Sequence, residues 1–207
     1  MPGFCNIVLA VASKLQGQQG WPAARGRRKR MEERLLAEKA GYDREAFGEL
    51  FRANAGLVFK VIMGRVRNES EAWDITQDAF VKAIENIDSF EGRARFSSWV
   101  IRIALNETYD RVRKKGREIN GWDEIPENIE ERNPLSELLD KENLGRLVGA
   151  FNRLSEEERL LLELKIGENL SSEQIAAIIG KQDGATRVAI HRARKKLAEF
   201  MEESNEE

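Results

Sequence analysis

The sequence predicts an all-α fold, with two small helical domains joined by a flexible acidic linker. Between Asp43 and Phe200 almost every segment carries apolar residues at helical spacing, and no segment shows a convincing strand period of two. Between residues 118 and 133 this periodicity is lost, Gly121 and Pro126 appear, and acidic residues accumulate, which is typical of a linker. A chain of 207 residues with 41% hydrophobic content can build two small cores.

Composition excludes several kinds of site. The single cysteine, Cys5, cannot form an internal disulfide, which fits a reducing cytoplasm. With one histidine, His191, the chain has too few Cys and His ligands for a zinc site, and a His-based catalytic triad is disfavoured. No carboxylate cluster or nucleotide-binding loop stands out, so we predict no metal and no cofactor. The apolar run at residues 4–12 is too short to span a bilayer.

The first 30 residues are predicted to form a basic, disordered arm. They are rich in Gly, Gln and Arg and lack helical periodicity. Met31 opens the sequence Met-Glu-Glu-Arg-Leu-Leu, and we hypothesise that translation begins there. Intact-mass analysis of the native protein tests this, because a native amino terminus upstream of Met31 contradicts it. The alternative is an arm that contacts DNA or no partner.

Three helices are predicted in the first domain, residues 31–117. Asp43 is suited to cap the first, the second begins after Ser70, and the third begins at Phe96 after a loop with Gly92. Apolar residues at helical spacing predict the faces that share one core. They are Phe47, Leu50, Phe51 and Val58 on the first helix, Trp73, Ile75, Phe80, Val81 and Ile84 on the second, and Phe96, Trp99, Val100 and Ile103 on the third.

The second domain, residues 134–200, also contains residues that favour helix starts and ends. They are the N-cap and proline Asn133-Pro134, the capping-box pairs Ser155/Glu158 and Ser171/Gln174, and the glycines Gly167 and Gly180. The first helix of this domain has an apolar side formed by Leu135, Leu138, Leu139 and Leu147. An acidic tail, residues 201–207, follows the domain.

A helix-turn-helix is predicted within this domain. Its parts are a short helix at Ser172 to Ile179, a turn at Gly180 to Gly184, and a long basic helix from Ala185 to about Phe200. On the long helix Thr186, Ile190, Ala193 and Leu197 share one side and should face the core. Arg187, Val188, His191, Arg194 and Lys195 are left on the outside, where they can enter a major groove. The alternative is an ordinary helical hairpin with solvated basic residues.

The motifs of this segment resemble a known family. Leu-Ser-Ser-Glu-Gln-Ile-Ala-Ala-Ile-Ile-Gly at 170–180, Gly-Ala-Thr-Arg at 184–187, and His-Arg-Ala-Arg-Lys-Lys-Leu at 191–197 closely resemble region 4 of extracytoplasmic-function (ECF) sigma factors. In that family this helix reads the promoter's -35 element. The resemblance therefore implies -35 contacts by Ser172, Arg187, Val188, His191, Arg192, Arg194 and Lys195. Thr186, Val188 and Ala189 depart from the commoner family residues, which leaves base preference open.

The resemblance extends back to region 2, beginning with the segment Asp74-Ile-Thr-Gln-Asp-Ala-Phe80. It is similar to the segment with which the family grips the clamp helices of RNA polymerase, which implies that Asp74, Ile75, Gln77 and Asp78 bind the polymerase. Taken alone, this polar surface is better explained as a solvated face. Trp73 stands where the family usually has an acidic residue, and we interpret it as core in preference to an interface anchor.

Residues 96–113 resemble the family stretch that contacts the -10 element, and the loop at 89–95 corresponds to the loop that holds a flipped-out nucleotide. The resemblance implies -10 contacts by Phe90, Arg93, Arg102, Asn106, Tyr109 and Arg113. Helical spacing places the last four on one stripe. Phe90 could instead plug the core. Basic residues suited to neutralise phosphates follow on the same helix: Arg111, Arg113, Lys114, Lys115 and Arg117.

The resemblance thus implies a non-enzymatic, cytoplasmic subunit that acts with core RNA polymerase on promoter DNA. The resemblance adds an anti-sigma factor as an expected partner. It also gives the acidic linker a possible role in mimicking nucleic-acid charge inside polymerase, although a solubilising tether explains it equally well. Two alternatives are a helix-turn-helix regulator that acts alone and an all-α hydrolase that uses Asp74, Asp78 and Glu85 as carboxylates.

Overall fold

The computed structural model describes the backbone of residues 23–114 and 141–203, and the side chains of residues 31–114 and 145–203. All the regular secondary structure in these ranges is helical and none of it is β-strand, which confirms the all-α prediction for the described residues. Among the helices of the described ranges, none has the length and apolar character that a membrane span requires. The helices are α1 (Ala23–Ala40), α2 (Arg44–Val66), α3 (Glu69–Glu85), α4 (Phe96–Lys114), α5 (Lys141–Asn152), α6 (Glu156–Leu162), α7 (Ser172–Ile179) and α8 (Asp183–Glu203), with a 3-10 turn at Ile87–Ser89 and a π turn at Glu163–Gly167.

These residues form two compact units. The first comprises α1 to α4 together with residues 173–182, and the second comprises residues 141–172 and 183–203. The sequence places residues 173–182 in the second domain, so the two divisions differ there. The predicted linker at 118–133, the helix start at Asn133-Pro134 and the first three leucines that follow it lie outside the described residues, as does the tail from residue 204. The fourth, Leu147, is buried in the core of the second unit, as predicted.

Aromatic rings fill the centre of the first unit, where α2, α3 and α4 pack against one another. Phe80 is fully enclosed, and its ring lies 4.8 Å from that of Phe51 and 6.4 Å from those of Phe47 and Phe96, measured between centroids. Edge-on and tilted pairs of this kind stabilise a core beyond the area they bury. The predicted contribution of Phe47, Phe51 and Phe80 to one core is confirmed.

Side-chain caps determine where two of these helices begin. Asp43 caps α2 as predicted, since its carboxylate accepts the Glu45 backbone N–H at 2.9 Å. Asn68 caps α3 by accepting the Glu71 N–H at 2.9 Å. The helix therefore begins at Glu69, and the prediction of a start after Ser70 is wrong by two residues.

Helix α1 begins inside the arm that the sequence predicts to be disordered. The prediction is wrong for residues 23–30, which are helical. Ala, Arg and Lys are good helix formers, and residues after Met31 anchor the helix by burying Ala37 and Ala40. Residues 1–22 lie outside the described part, and the start of translation at Met31 stays a prediction.

Two predicted core residues on α3 are exposed instead. Val81 is 52% exposed, and Trp73 is 36% exposed with its ring stacked on Phe59 at 4.4 Å. The buried side of α3 is formed by Ala72, Ile75, Ala79 and Phe80, so the apolar arc in the sequence is wider than the surface that α3 buries. The interpretation of Trp73 as a core residue is therefore wrong.

The second unit has its own apolar core, centred on Phe151, Leu162 and Leu197. The capping box predicted from Ser155 and Glu158 is confirmed: the Ser155 hydroxyl accepts the Glu158 N–H at 3.3 Å, and the Glu158 carboxylate accepts the Ser155 N–H at 2.8 Å. The same carboxylate receives the Lys196 ammonium at 3.0 Å and so connects α6 to α8.

Glu158 is expected to stabilise this unit in a pH-dependent way. Burial raises the pKa of its carboxyl, but hydrogen bonds from Ser155 and Lys196 outweigh this, and the pKa lies below the ordinary 4.5. A lowered folded-state pKa means stability that is present above about 4.5 and is lost as the pH falls through the folded value. Glu158→Ala should lower the unfolding free energy by about 1 kcal/mol at neutral pH. Thermal unfolding at pH 7 and pH 3 measures it.

The matched control is Glu202→Ala, which removes an exposed glutamate of α8. The control should unfold like the unmodified protein at both pH values. A stability gap for Glu158→Ala that is as large at pH 3 as at pH 7 would contradict the proposed role of the charged carboxylate.

Candidate nucleic-acid and polymerase interfaces

The exposed side of α8 forms a basic surface, here called the α8 basic face. It consists of Arg187, Val188, His191, Arg192, Arg194 and Lys195, all of which are exposed. At about 100° per residue they occupy one arc of roughly 160°. The predicted core residues of this helix, Thr186, Ile190, Ala193 and Leu197, are all buried. Helix α8 begins at Asp183, two residues before the predicted start at Ala185. The turn between α7 and α8 is therefore shorter than predicted.

The α8 basic face combines charge with one apolar contact point. Its guanidinium and ammonium groups can neutralise phosphates, while Val188, 49% exposed, can contact the methyl group of a thymine. The Arg187 guanidinium is held by Asp183, one turn earlier, at 2.8 Å. Ser172, predicted to join these contacts, is half-buried at the start of α7.

Helix α4 presents a second polar surface, here called the α4 stripe. Arg102, Asn106, Tyr109 and Arg113 are all exposed and span an arc of roughly 60°. The opposite side buries Ile101, Ala104, Leu105 and Thr108, whereas Trp99 and Ile103 of the predicted core face are only half-buried. The structure thus brings four of the predicted -10 residues together on one accessible surface.

The loop before α4 holds the other two predicted -10 residues, and they differ in accessibility. Phe90 is 7% exposed, and its ring lies 5.4 Å from that of Phe96 and 5.3 Å from that of Trp99. Because the ring is enclosed by these neighbours, its prediction as a base contact is corrected: Phe90 plugs the core. Arg93 is exposed and pairs with Glu91.

A cleft of about 420 Å³ lies between part of this loop and α1. Arg34, Ala37 and Glu38 line it on one side, and Ile87, Phe90 and Arg93 on the other. Asn106, grouped with Phe90 and Arg93 by the sequence, lies on α4 and does not line the cleft.

Glu33 of α1 contacts the junction between this loop and α4, a contact that the sequence did not reveal. Its carboxylate accepts hydrogen bonds from the Arg95 guanidinium at 2.9 Å and from the Phe96 backbone N–H at 3.0 Å. The first of these is also an ion pair, with the Glu33 side chain only 12% exposed. Local motifs cannot predict a pair of residues 62 positions apart.

The predicted polymerase-binding residues of α3 fall on two sides of the helix. Asp74, Gln77 and Asp78 are exposed, whereas Ile75 is fully buried. Ile75 is therefore corrected from a contact residue to a core residue that holds α3 in place. Trp73 is exposed beside Asp74 and adds an aromatic surface to this side.

A network of charges joins α3 to α4. Asp78 pairs with Arg111, which also bonds Glu107 at 3.1 Å, and Glu107 pairs in turn with Lys82. The hydrogen bond from Lys82 holds the pKa of the Glu107 carboxyl below its ordinary value, although partial burial opposes this. Arg111, predicted to neutralise phosphates, is thus already engaged by two carboxylates. Lys115 and Arg117 lie outside the described residues.

Comparison with known proteins matches both halves of the chain. The family model for Sigma-70 region 2 matches residues 50–118, and that for Sigma-70, region 4 matches residues 144–197. The ECF RNA polymerase sigma factor BldN of Streptomyces coelicolor is 29% identical over 184 residues, which cover 87% of this chain and 69% of BldN. The ECF RNA polymerase sigma-E factor of Escherichia coli is 34% identical over 134 residues, which cover 60% of this chain and 70% of that protein.

The solved structure of CnrH in complex with the cytosolic domain of CnrY has the same fold. It aligns with a TM-score of 0.59 and 25% identity, covering 82% of this chain and 97% of CnrH. Three kinds of comparison point to the same family: the matches to both sigma regions, the ECF relative at 34% identity and the likeness to the CnrH structure. The chain therefore belongs to the sigma-70 family, within its extracytoplasmic-function group of RNA polymerase sigma factors.

Proposed function

We propose that this sigma factor divides promoter recognition between two surfaces. The α4 stripe, within residues 31–117, contacts and opens the -10 element, and the α8 basic face, within residues 134–200, reads the -35 element. The observation that carries this proposal is that each surface lies opposite the buried side of its own helix, so all its side chains reach solvent together.

At the -10 element the α4 stripe has the chemistry to hold an opened strand. The Asn106 amide carries both a donor and an acceptor and can pair with a base edge. Tyr109 can stack on an unpaired base, which recovers part of the few kcal/mol that unstacking costs. Arg102 and Arg113 flank these two residues and can bind phosphates.

The exposed side of α3 is proposed to bind core RNA polymerase. Asp74 and Gln77 present a carboxylate and an amide from adjacent turns, and Trp73 supplies an apolar anchor beside them. Aromatic residues next to polar groups are common at the centres of protein interfaces. Asp78 contributes less direct contact in this proposal, because Arg111 already holds it.

Regulation by a protein partner is also proposed. CnrH, the similar structure, was solved with the cytosolic domain of a second protein, CnrY. The sequence resemblance implies an anti-sigma factor for this chain, and we propose that such a protein holds it inactive in the cytoplasm.

We further propose that the chain has no catalytic activity of its own. Its relatives are sigma factors, a family that is not enzymatic. The hydrolase alternative used Asp74, Asp78 and Glu85, but Asp78 is engaged in an ion pair with Arg111. The alternative hypothesis, a helix-turn-helix regulator that acts without polymerase, does not explain the match to Sigma-70 region 2.

Run-off transcription with purified core RNA polymerase tests the proposed function. With the protein present, we expect initiation at a subset of promoters from a genomic library, and without it none of these transcripts. Failure to initiate at any promoter contradicts the proposal. Tight footprinting of a promoter by the free protein, without polymerase, would favour the regulator that acts alone.

Replacing Arg187 by alanine should weaken dependence on the -35 element. A bidentate arginine contributes about 1–3 kcal/mol of discrimination between bases. Substitutions in the -35 element should therefore change the run-off yield several-fold less for Arg187→Ala than for the unmodified protein. Arg52→Ala, at an exposed arginine of α2, is the control. An Arg187→Ala protein that responds fully to every -35 substitution would rule out the assignment.

A further inference from the structure

We infer that Glu33 positions the loop at residues 89–95, here called the -10 loop, for capture of an unpaired -10 base. The inference rests on the proposed function, which assigns the α4 stripe to the opened -10 strand, and extends that proposal to the loop that precedes α4. Glu33 itself need not touch DNA. It acts through the residues that it holds.

The contacts of Glu33 converge on the junction between the -10 loop and α4. One carboxylate oxygen accepts from Arg95 at 2.9 and 3.3 Å, and the other accepts the Phe96 N–H at 3.0 Å. Phe96 is the first residue of α4, where backbone N–H groups lack partners within the helix and favour a negative charge. A carboxylate from α1 thus supplies an N-terminal partner to the helix that carries the α4 stripe.

The two ends of the -10 loop are held in different ways. At its start Phe90 is buried against Phe96 and Trp99. At its end Glu33 holds Arg95. Between these points Gly92 adopts a φ of +69°, and a Cβ built there would lie 2.9 Å from Cδ of Arg34 on α1. The loop therefore follows the surface of α1 closely, and Arg93 projects from the part between the two anchors.

Removing the Glu33 carboxylate takes away the negative charge that holds Arg95 at the end of the -10 loop. Arg95, whose side chain is 26% exposed, would lose this partner while remaining partly shielded from water. Hydrogen bonds to charged groups contribute more than neutral ones, and losing one partner leaves the other unsatisfied. The -10 loop would then sample more conformations, and capturing a base would require ordering it first.

Promoter opening by the full-length chain with core RNA polymerase tests this inference. The variants are Glu33→Ala, Glu33→Gln, which retains an oxygen for the Phe96 N–H but no charge, and the control Glu49→Ala, at an exposed glutamate of α2. The templates are a promoter found by run-off transcription and copies in which each non-template -10 base is replaced in turn by an abasic site. Permanganate reactivity of unpaired thymines reports the rate of opening.

We expect Glu33→Ala to slow opening about tenfold on the intact promoter. Glu33→Gln should slow it less, and Glu49→Ala should leave it unchanged. On one abasic template, the one that lacks the captured base, Glu33→Ala and the unmodified protein should open at the same rate. This loss of the difference is the expected signature of coupling between a residue and a base.

Two results would overturn the inference. One is an unchanged opening rate for Glu33→Ala on the intact promoter. The other is the same slowing on every abasic template, which indicates a general loss of stability. If the unmodified protein opens no promoter at all, the proposed function fails first, so the two failures are distinguishable.

Discussion

Replacing Asp74 and Gln77 together by alanine is expected to weaken binding to core RNA polymerase by about 3 kcal/mol, roughly 100-fold in Kd. Both side chains are exposed on α3, next to the Trp73 ring that is stacked on Phe59. A few polar and aromatic residues at the centre of an interface usually carry most of its binding energy. Competition between the variant and a labelled copy of the unmodified protein for core polymerase measures the change.

The fold should survive this double substitution, because neither side chain is buried in the core of the first unit. Glu85→Ala, at an exposed carboxylate near the end of the same helix, is the control and should compete like the unmodified protein. Equal competition by the double variant and the control would refute the assignment of this surface to polymerase. Thermal unfolding of both variants separates a binding defect from a folding defect.

Asn106→Ala is expected to slow promoter opening about 30-fold and to alter -10 preference. The amide side chain can both donate to and accept from one base edge, and such a contact is equivalent to about 1–3 kcal/mol of discrimination. Asn106 lies in the exposed α4 stripe between Arg102 and Tyr109, so its loss should leave phosphate binding largely unchanged. Opening rates on a panel of -10 variants measure both effects.

Lys60→Ala is the control for this substitution, since it truncates an exposed side chain of α2 outside the α4 stripe. The Asn106→Ala protein should lose discrimination at one -10 position and retain its ranking of the others. Full activity on every -10 variant would show that Asn106 does not read a base.

Local signals in the sequence predicted much of the fold. The bounds of α7 and the first residue of α4 agree with the structure, because a glycine stop and an apolar repeat act over one or two turns. The buried side of α8 was predicted residue for residue, since Thr186 and Leu197 repeat at the helical period with exposed residues between them.

Other features depend on contacts that no local pattern contains. The apolar arc of α3 is wider than the surface that the helix buries, and the sequence does not show which edge of this arc meets the core. Trp73 and Val81 were therefore predicted to be buried, although both are exposed. A phenylalanine suits both a core position and a base-stacking position, so the sequence alone does not distinguish these two roles for Phe90. The packing of the Phe96 and Trp99 rings around it identifies the core position. Glu33 acquires its role from a partner 62 residues away, and helix α1 extends through a basic run without apolar repeats.

The charge network between α3 and α4 has a mechanical consequence. Asp78 and Arg111 cross-link the two helices near the surface, and Glu107 with Lys82 continues the link where Glu107 is largely shielded from solvent. Because α3 and α4 also pack around a shared aromatic core, we expect the two helices to shift together. If polymerase binds the exposed side of α3 as proposed, that binding would then also set the orientation of the α4 stripe.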